Sequence, residues 1–418
     1  MTHLLRARMR EGLRGMALVQ HRNRLARRAV DFAVANAPFY ADHWQRSDPV
    51  RWWRLPAVDK TAMMAHFARF NTAGVGQEAA LAAARRAESG GDPVLGGLTA
   101  GLSSGTSGRR GLFLIGPEEQ EIWAGVMLAR TIHAAPRRPL RVAFFLRANN
   151  RLYQRVGGRL VRFEYFSLGA LDATMTERLE ALDPDVLIAP PSQLDRLLAG
   201  RQAGRLAIAP RRVFAVAEPL LGRDAKRLRE GFGVPIVEQI YQATEGLLAI
   251  SCRLGALHLQ EDLVAIQLEQ LPGWPGEPPR FTPLVTDLWR RVQPILRYRL
   301  GDVLRVSPHR CRCGSAWRVV AVEGRLDDVL RLPVSGGECW LYPETVDRAL
   351  SLPNEYRIVQ QSDHAFEFSV ERGDACLGAD AFRLLAERAG ADPVEVRAVP
   401  WEERPPEVKR RRTARMAG

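Results

Sequence analysis

Through the middle of the chain, short apolar runs alternate with amphipathic stretches. Arg141–Leu146, Val186–Ala189, Val213–Val216 and Ile236–Ile240 are compact apolar segments. Helical patterns lie near Glu118–His133, Leu171–Leu182, Gln193–Leu198 and Gly222–Gly231. Strands and helices in strict alternation predict a layered α/β domain with a mainly parallel sheet. The first seventy residues read as helical instead, with a basic amphipathic pattern over Leu18–Ala37 broken by Pro38-Phe39-Tyr40 and Leu55-Pro56. From about Leu257 to Val322 the pattern turns to strands interrupted by Pro and Gly, which predicts a β-rich subdomain over about 250–322. After Gly324-Arg325 a small α+β unit follows, read as strand, helix, strand, strand, helix and strand up to Pro400. The expected division is therefore a large α/β N-terminal core, 1–324, and a small C-terminal domain, 325–418.

Composition adds limits to this picture. The chain has 418 residues, 46% hydrophobic and 26% charged, which is ordinary globular material with room for two or three cores. No apolar run is long enough to span a bilayer, and arginines interrupt the first residues, so neither membrane insertion nor a secretory signal is expected and a cytoplasmic location follows. A net charge of +13 raises the question of nucleic acid. The one dense basic run, Lys409 to Arg412 with Arg415, lacks a nucleic-acid-binding module or interleaved aromatics, so the charge is read as a solvated, anion-friendly surface.

Four polar clusters stand out. Ser103-Ser104-Gly105-Thr106-Ser107-Gly108 is a hydroxyl- and glycine-rich loop whose backbone can approach a polyphosphate, with Arg109 and Arg110 beside it. No Gly-Lys-Ser/Thr follows, and Gly111–Ile115 reads as a strand, so a hairpin over phosphates is expected in place of a helix-capping loop. The same segment fits the G-x-S-x-G elbow of serine hydrolases, with Ser103 as nucleophile, although the elbow requires a strand before it and a helix after. Tyr241-Gln242-Ala243-Thr244-Glu245 follows an apolar run and offers a carboxylate suited to magnesium. Tyr298-Arg299-Leu300-Gly301-Asp302 presents a carboxylate at a turn, able to accept from a ribose diol. Gly324-Arg325-Leu326-Asp327 combines a pivot with a phosphate-pairing arginine. Each also reads as a linker, cap or turn when taken alone.

In this order the four clusters resemble the signature motifs of the adenylate-forming superfamily of acyl-CoA synthetases, adenylation domains and luciferases. Ala37-Pro38-Phe39-Tyr40, Leu55-Pro56-Ala57-Val58-Asp59-Lys60 and Ala217-Glu218-Pro219 look like the phenylacetate-CoA ligase branch. Within it, the chain is most similar to adenylate-forming proteins related to enzymes that adenylylate a deazaflavin. The resemblance implies that Ser103 to Gly108 grip the triphosphate of ATP and that Ala217, Glu218, Pro219 and Tyr241 line the adenine site. It further implies that Thr244 and Glu245 meet phosphate and Mg2+, Asp302 the ribose, and Arg325 the phosphates. Lys409 matches the C-terminal lysine that stabilises the transition state, with Val408 where the family usually has glycine. Phe145, Asn149, Asn150, Tyr153 and Ala243 fall where the acid pocket is shaped, suggesting an aryl or other small carboxylic acid. The activity implied is adenylation of that acid followed by transfer to a thiol of coenzyme A or an acyl carrier protein. An adenylyltransferase acting on a non-carboxylate acceptor is the other reading, beside the hydrolase.

The five cysteines, an odd number in a long chain in which no secretory signal is expected, do not read as a disulfide framework. Cys252, His258, Cys311 and Cys313 make a complete tetrahedral set for a structural Zn2+, an arrangement similar to that in some members of the same branch. Cys339 and Cys376 have no evident partners.

Overall fold

The computed structural model describes residues 2–88, 91–103, 110–132, 138–147, 161–273, 276–352, 354–405 and 408–416. The N-terminal helices include α1 (Thr2–Arg10), α2 (Gly15–Asn36), α3 (Pro38–His43), α4 (Lys60–Ala65), α5 (Phe67–Phe70) and α6 (Gln77–Glu88). Their apolar faces close one side of the main core, where Ala26, Ala29, Val30, Tyr40 and Phe70 are all buried. A three-stranded antiparallel sheet follows, made of β1 (Val94–Leu95), β2 (Leu98–Leu102) and β3 (Leu112–Ile115). Leu102 pairs with Leu112, so the Ser/Gly-rich segment connects two antiparallel strands, as expected of a hairpin.

Helix α7 (Pro117–Thr131) leads into a seven-stranded sheet of β4 (Leu140–Leu146), β5 (Val161–Ser167), β6 (Val186–Ala189), β7 (Arg212–Val216), β8 (Val237–Ala243), β9 (Gly246–Ser251) and β10 (Leu257–Leu259), in the order β10-β9-β8-β7-β6-β4-β5. Strands β5, β4, β6, β7 and β8 run parallel, while β9 and β10 are antiparallel. The intervening helices α8 (Ala173–Leu182), α9 (Pro191–Gln202) and α10 (Gly222–Phe232) cover one face over a core of Leu179, Leu194, Leu197 and Leu228. The other face looks onto α7. Burial on both faces explains why these strands read as continuous apolar runs in the sequence.

A second, antiparallel sheet contains β11 (Val264–Gln270), β12 (Arg280–Asp287), β13 (Tyr298–Arg299), β14 (Asp302–Val306) and β15 (Val320–Arg325). Beyond it come β16 (Leu330–Val334), β17 (Gly337–Leu341), α11 (Pro343–Leu350), β18 (Tyr356–Gln360), β19 (Ala365–Val370), α12 (Ala375–Arg388), β20 (Glu395–Ala398) and β21 (Thr413–Arg415). Two points differ from the sequence expectation. A hairpin, β16–β17, precedes the first helix, and the chain returns after Pro400 to add β21 parallel to β18. These elements enclose their own core around Leu341, Ile358, Phe368 and Phe382. The architecture is thus a large mixed α/β region and a smaller α+β one. Where they meet, Gly324 has φ +142°, and an added Cβ would lie 3.1 Å from Pro343, so only glycine passes there without strain.

Candidate active site

A cavity of about 460 Å³ opens at the C-terminal ends of the parallel strands, between the β2–β3 hairpin, the second sheet and the returning C-terminal segment. Ser103, Ala217, Glu218, Pro219, Tyr241, Ala243, Thr244, Glu245, Asp302, Arg325 and Lys409 all line it. Ser104, Gly105, Thr106, Ser107, Gly108, Asn149, Asn150 and Tyr153 lie outside the described residues. Phe145 lies elsewhere: it is fully buried on the opposite face of the sheet, stacked 4.9 Å from Phe166, and its neighbour Phe144 lines the cavity instead. Side chains alternate along a strand, so one residue of register decides which of two adjacent phenylalanines faces inward.

At the polar end, the Tyr241 hydroxyl donates to Asp302 Oδ2 at 2.5 Å, and Arg325 Nε stands 3.7 Å from Asp302 Oδ1. Burial raises the pKa of Asp302, partly offset by Arg325 and by the tyrosine's hydrogen bond. Thr244 donates from Oγ1 to Glu245 Oε2 at 2.8 Å. The turn after this pair needs Gly246, whose φ is +151° and whose added Cβ would lie 2.9 Å from Asp287 Oδ2. At the end of β7, Ala217 adopts φ +65° while the Glu218 N–H donates to the Val216 carbonyl at 2.8 Å, a strained γ-turn in the cavity wall. Glu218 is held by the backbone N–H and hydroxyl of Ser192, at 3.0 and 2.9 Å.

Lys409 reaches this polar end from the C-terminal segment. Burial lowers its pKa, while Glu218, Asp302 and Asp328 favour its charged form and Arg325 opposes it. The following arginines are turned inward onto carboxylates, not outward as a solvated basic face. The Arg410 N–H donates to Glu218 Oε1 at 3.0 Å, and its guanidinium to Asp195 and Glu355 at 2.7 and 3.0 Å. Arg411 binds Asp328, and Arg412 binds Asp224 twice, at 2.8 and 3.0 Å. These bonds span the large and small regions and hold Lys409 over the cavity.

Comparison with solved structures bears on this arrangement. The chain superimposes on 2-hydroxyisobutyryl-CoA ligase in its postadenylation state with 2-HIB-AMP at a TM-score of 0.66 and 20% identity, covering 96% of this chain and 89% of that one. The fold is that of the adenylate-forming enzymes. Against the thioesterification state of the same ligase the TM-score falls to 0.55, at the same 20% identity, with 97% and 91% covered. The acyl acid amido synthetase GH3.15 shares the fold at 0.56 and 12% identity, covering 91% and 86%. No protein-family model matches the sequence, nor does any curated protein.

In this adenylate-forming fold the cavity continues beyond the polar end as an apolar arm between α7 and the sheet. Ile122, Trp123, Val126, Met127, Thr131 and Ile132 line it from the helix side. Leu140, Val142 and Phe144 of β4, Val186 and Ile188 of β6, and Phe214 of β7 line it from the sheet. The indole N–H of Trp123 donates to Gln242 Oε1 at 3.1 Å. At the far end Arg212 pairs with Glu238, at 2.7 and 2.6 Å, and donates to the Thr131 carbonyl.

Several cavity residues were given no role by the sequence. Lys60, at the start of α4, lines the polar end, where burial lowers its pKa and the charges of Arg325, Glu245 and Asp327 act on it. Asp287, raised by burial to about 6, accepts the backbone N–H groups of Trp289 and Arg290. Arg290 donates to the Thr244 and Leu114 carbonyls and so ties the hairpin to the Thr-Glu turn. The sequence offers no signal for these contacts beyond the Asp59-Lys60 pair itself.

The hydrolase reading fails on geometry. Ser103 sits between two strands, with Oγ accepting the Gly111 N–H at 2.7 Å. No histidine occurs among the described residues lining the cavity. His258 instead faces Cys313 Sγ with Nε2 at 3.4 Å. With Cys252 and Cys311 they form a cluster whose ligand atoms lie within 4.8 Å of one another. His258 Nδ1 lies 3.0 Å from the Trp317 carbonyl, which as an N–H acceptor leaves Nε2 available to a metal.

Proposed function

We propose that this chain activates a carboxylic acid with ATP as its acyl-adenylate and then transfers the acyl group to a thiol. The observation that carries the reading is the meeting of Lys409 with Glu218 and the cross-strand pair Asp302 and Arg325 in one cavity, from three separate stretches of the chain. A carboxylate oxygen attacks the α-phosphorus of ATP, the P–O bond to pyrophosphate breaks, and the acyl-adenylate remains. A thiol sulfur then attacks the acyl carbon, AMP leaves, and the thiol proton is released. Neither step needs a protein nucleophile, so the protein contributes position and charge.

Glu218, Pro219 and the strained Ala217 turn form the wall for adenine. Asp302, oriented by Tyr241, accepts from the ribose hydroxyls. Lys409 and Arg325 face the phosphates and counter the charge that builds as pyrophosphate departs. Ser103 supports the hairpin, and Ser104 to Gly108 are proposed to cradle the triphosphate. Glu245 and Thr244 present adjoining oxygens in a buried setting suited to Mg2+. The metal, when bound, neutralises phosphate charge. Cys252, His258, Cys311 and Cys313 fit a closed structural Zn2+ site, with no position left for water.

The domains are proposed to divide at Gly324/Arg325, with residues 325–418 rotating about Asp327 between the two half-reactions. The Lys409-in position corresponds to the adenylation state, in keeping with the higher TM-score to the postadenylation structure. Coenzyme A is the proposed acceptor, and a carrier-protein thiol is the other. Pyrophosphate release measured across a panel of acids, with and without coenzyme A, tests the reading. Acid-dependent release supports it, and the absence of release with every acid refutes it.

A further inference from the structure

The apolar arm limits which acid fits, and this inference rests on the adenylation reading above. The lining of α7 runs from Glu119 beside the polar end to Thr131 at the far end. At 1.5 Å per residue that is roughly 18 Å. The sheet gives an independent measure. Leu140, Val142, Phe144 and Leu146 all line the space from the first residue of β4 to the last, roughly 20 Å at about 3.3 Å per residue. The two ends also agree, because Arg212, the first residue of β7, bonds the Thr131 carbonyl at the end of α7. The arm therefore crosses the whole depth of the sheet.

Its walls are aliphatic or aromatic, and its polar atoms have partners: Trp123 on Gln242, Thr131 Oγ1 on the Met127 carbonyl at 2.6 Å, Arg212 on Glu238. Among the described residues, nothing along it asks for a polar substituent. A small or aryl acid would leave most of the arm unfilled, at the expense of the contacts that apolar surfaces otherwise gain.

We infer that the acid is a long, unbranched aliphatic chain, seated with its carboxylate at the Thr244–Lys409 end and its tail between α7 and β4. In a zigzag of ~1.5 Å single bonds each carbon advances roughly 1.25 Å, so the arm takes on the order of 12 to 16 carbons. This departs from the aryl or other small acid suggested by Phe145, Asn149, Asn150, Tyr153 and Ala243: Phe145 lies on the other face of the sheet, Ala243 lines the cavity, and the other three lie outside the described residues. Each added methylene is expected to raise kcat/KM about fourfold while it is buried along the arm.

The test is ATP–pyrophosphate exchange with straight-chain acids from acetate to stearate, alongside benzoate and phenylacetate. The expected result is a rise with chain length and an optimum beyond ten carbons. An optimum at acetate, butyrate or an aryl acid would overturn the inference and leave adenylation standing. Exchange with no acid at all would overturn the adenylation reading and this inference with it. Val142→Phe and Ile188→Phe, which fill the middle of the arm, are expected to move the optimum down by several carbons. A folded variant with an unmoved optimum would refute the placement of the tail. If neither variant folds, the chain-length series on the native protein still decides.

Discussion

Replacing Asp224 by asparagine should loosen the C-terminal segment from the body of the protein. Asp224 is fully buried on α10 and receives two hydrogen bonds from Arg412 and one from Arg227, with Arg410 at 3.8 Å. Burial alone would raise its pKa, but Arg410 and Arg412 hold it down to about 2 from an ordinary 3.8. A depression of that size corresponds to roughly 2 kcal/mol favouring the docked, ionised state. The folded pKa lies below the unfolded one, so this contribution is complete above about pH 4 and is lost as pH falls towards 2. Glu355 and Asp195 remain to pair the two arginines in Asp224→Asn, which keeps the loss below the ~3–5 kcal/mol of a buried charge left wholly unpaired. A loss of about 2 kcal/mol is roughly a 30-fold change in an equilibrium constant. Hydrogen–deuterium exchange at neutral pH reads it directly: the peptide spanning Arg410 to Thr413 should lose about 30-fold in protection while β4 keeps its own. Unchanged protection of that peptide, or an equal loss in β4, would refute the claim that these ion pairs fasten the segment.

Other substitutions probe the site itself. Lys409→Ala should slow adenylation by about 10²–10³-fold, the scale of losing one preorganised charge, with the melting temperature unchanged. In the native protein, burial lowers the Lys409 pKa, so its cationic role should fade as pH rises through that lowered value, and Lys409→Arg should remove the alkaline decline in rate. Tyr241→Phe takes a 2.5 Å donor from the buried Asp302 carboxylate and should raise the KM for ATP about 5- to 30-fold, the effect of ~1–2 kcal/mol, as titration of initial rates would reveal. Metal analysis should find one zinc per chain, lost in Cys311→Ser together with several degrees of thermal stability; metal-free protein that melts at the same temperature would contradict a structural site.

Much of the candidate site, as a set of residues lining one cavity, was legible because its clusters are local. Tyr241 to Glu245, Tyr298 to Asp302 and Gly324 to Asp327 are contiguous, and although each reads as a cap, turn or linker alone, their order along the chain marks them together. The Cys/His cluster was legible for the same reason, its ligands being few and chemically distinctive. Contacts between segments were not. Lys60 reaches the polar end of the cavity only because α4 packs beneath the hairpin, and the Leu55 to Lys60 stretch does not itself encode that contact. The Phe144-Phe145 pair shows a different limit: in a strand apolar on both faces the period of two leaves no polar residue to reveal which side is which. The arginines after Lys409 looked like solvated surface because their acidic partners, Asp195, Asp224, Asp328 and Glu355, come from four separate places in the chain. Strand β21 was missed because three residues of mixed polarity carry no strand signal until β18 offers them an edge.

Acid labelled with oxygen-18 in its carboxylate provides the most direct test of the central claim. Attack of a carboxylate oxygen on the α-phosphorus, followed by thiol attack on the acyl carbon, leaves one labelled oxygen in AMP, and mass spectrometry of the nucleotide after turnover should find it there. Label appearing in inorganic phosphate, or AMP formed without label, would contradict an acyl-adenylate intermediate.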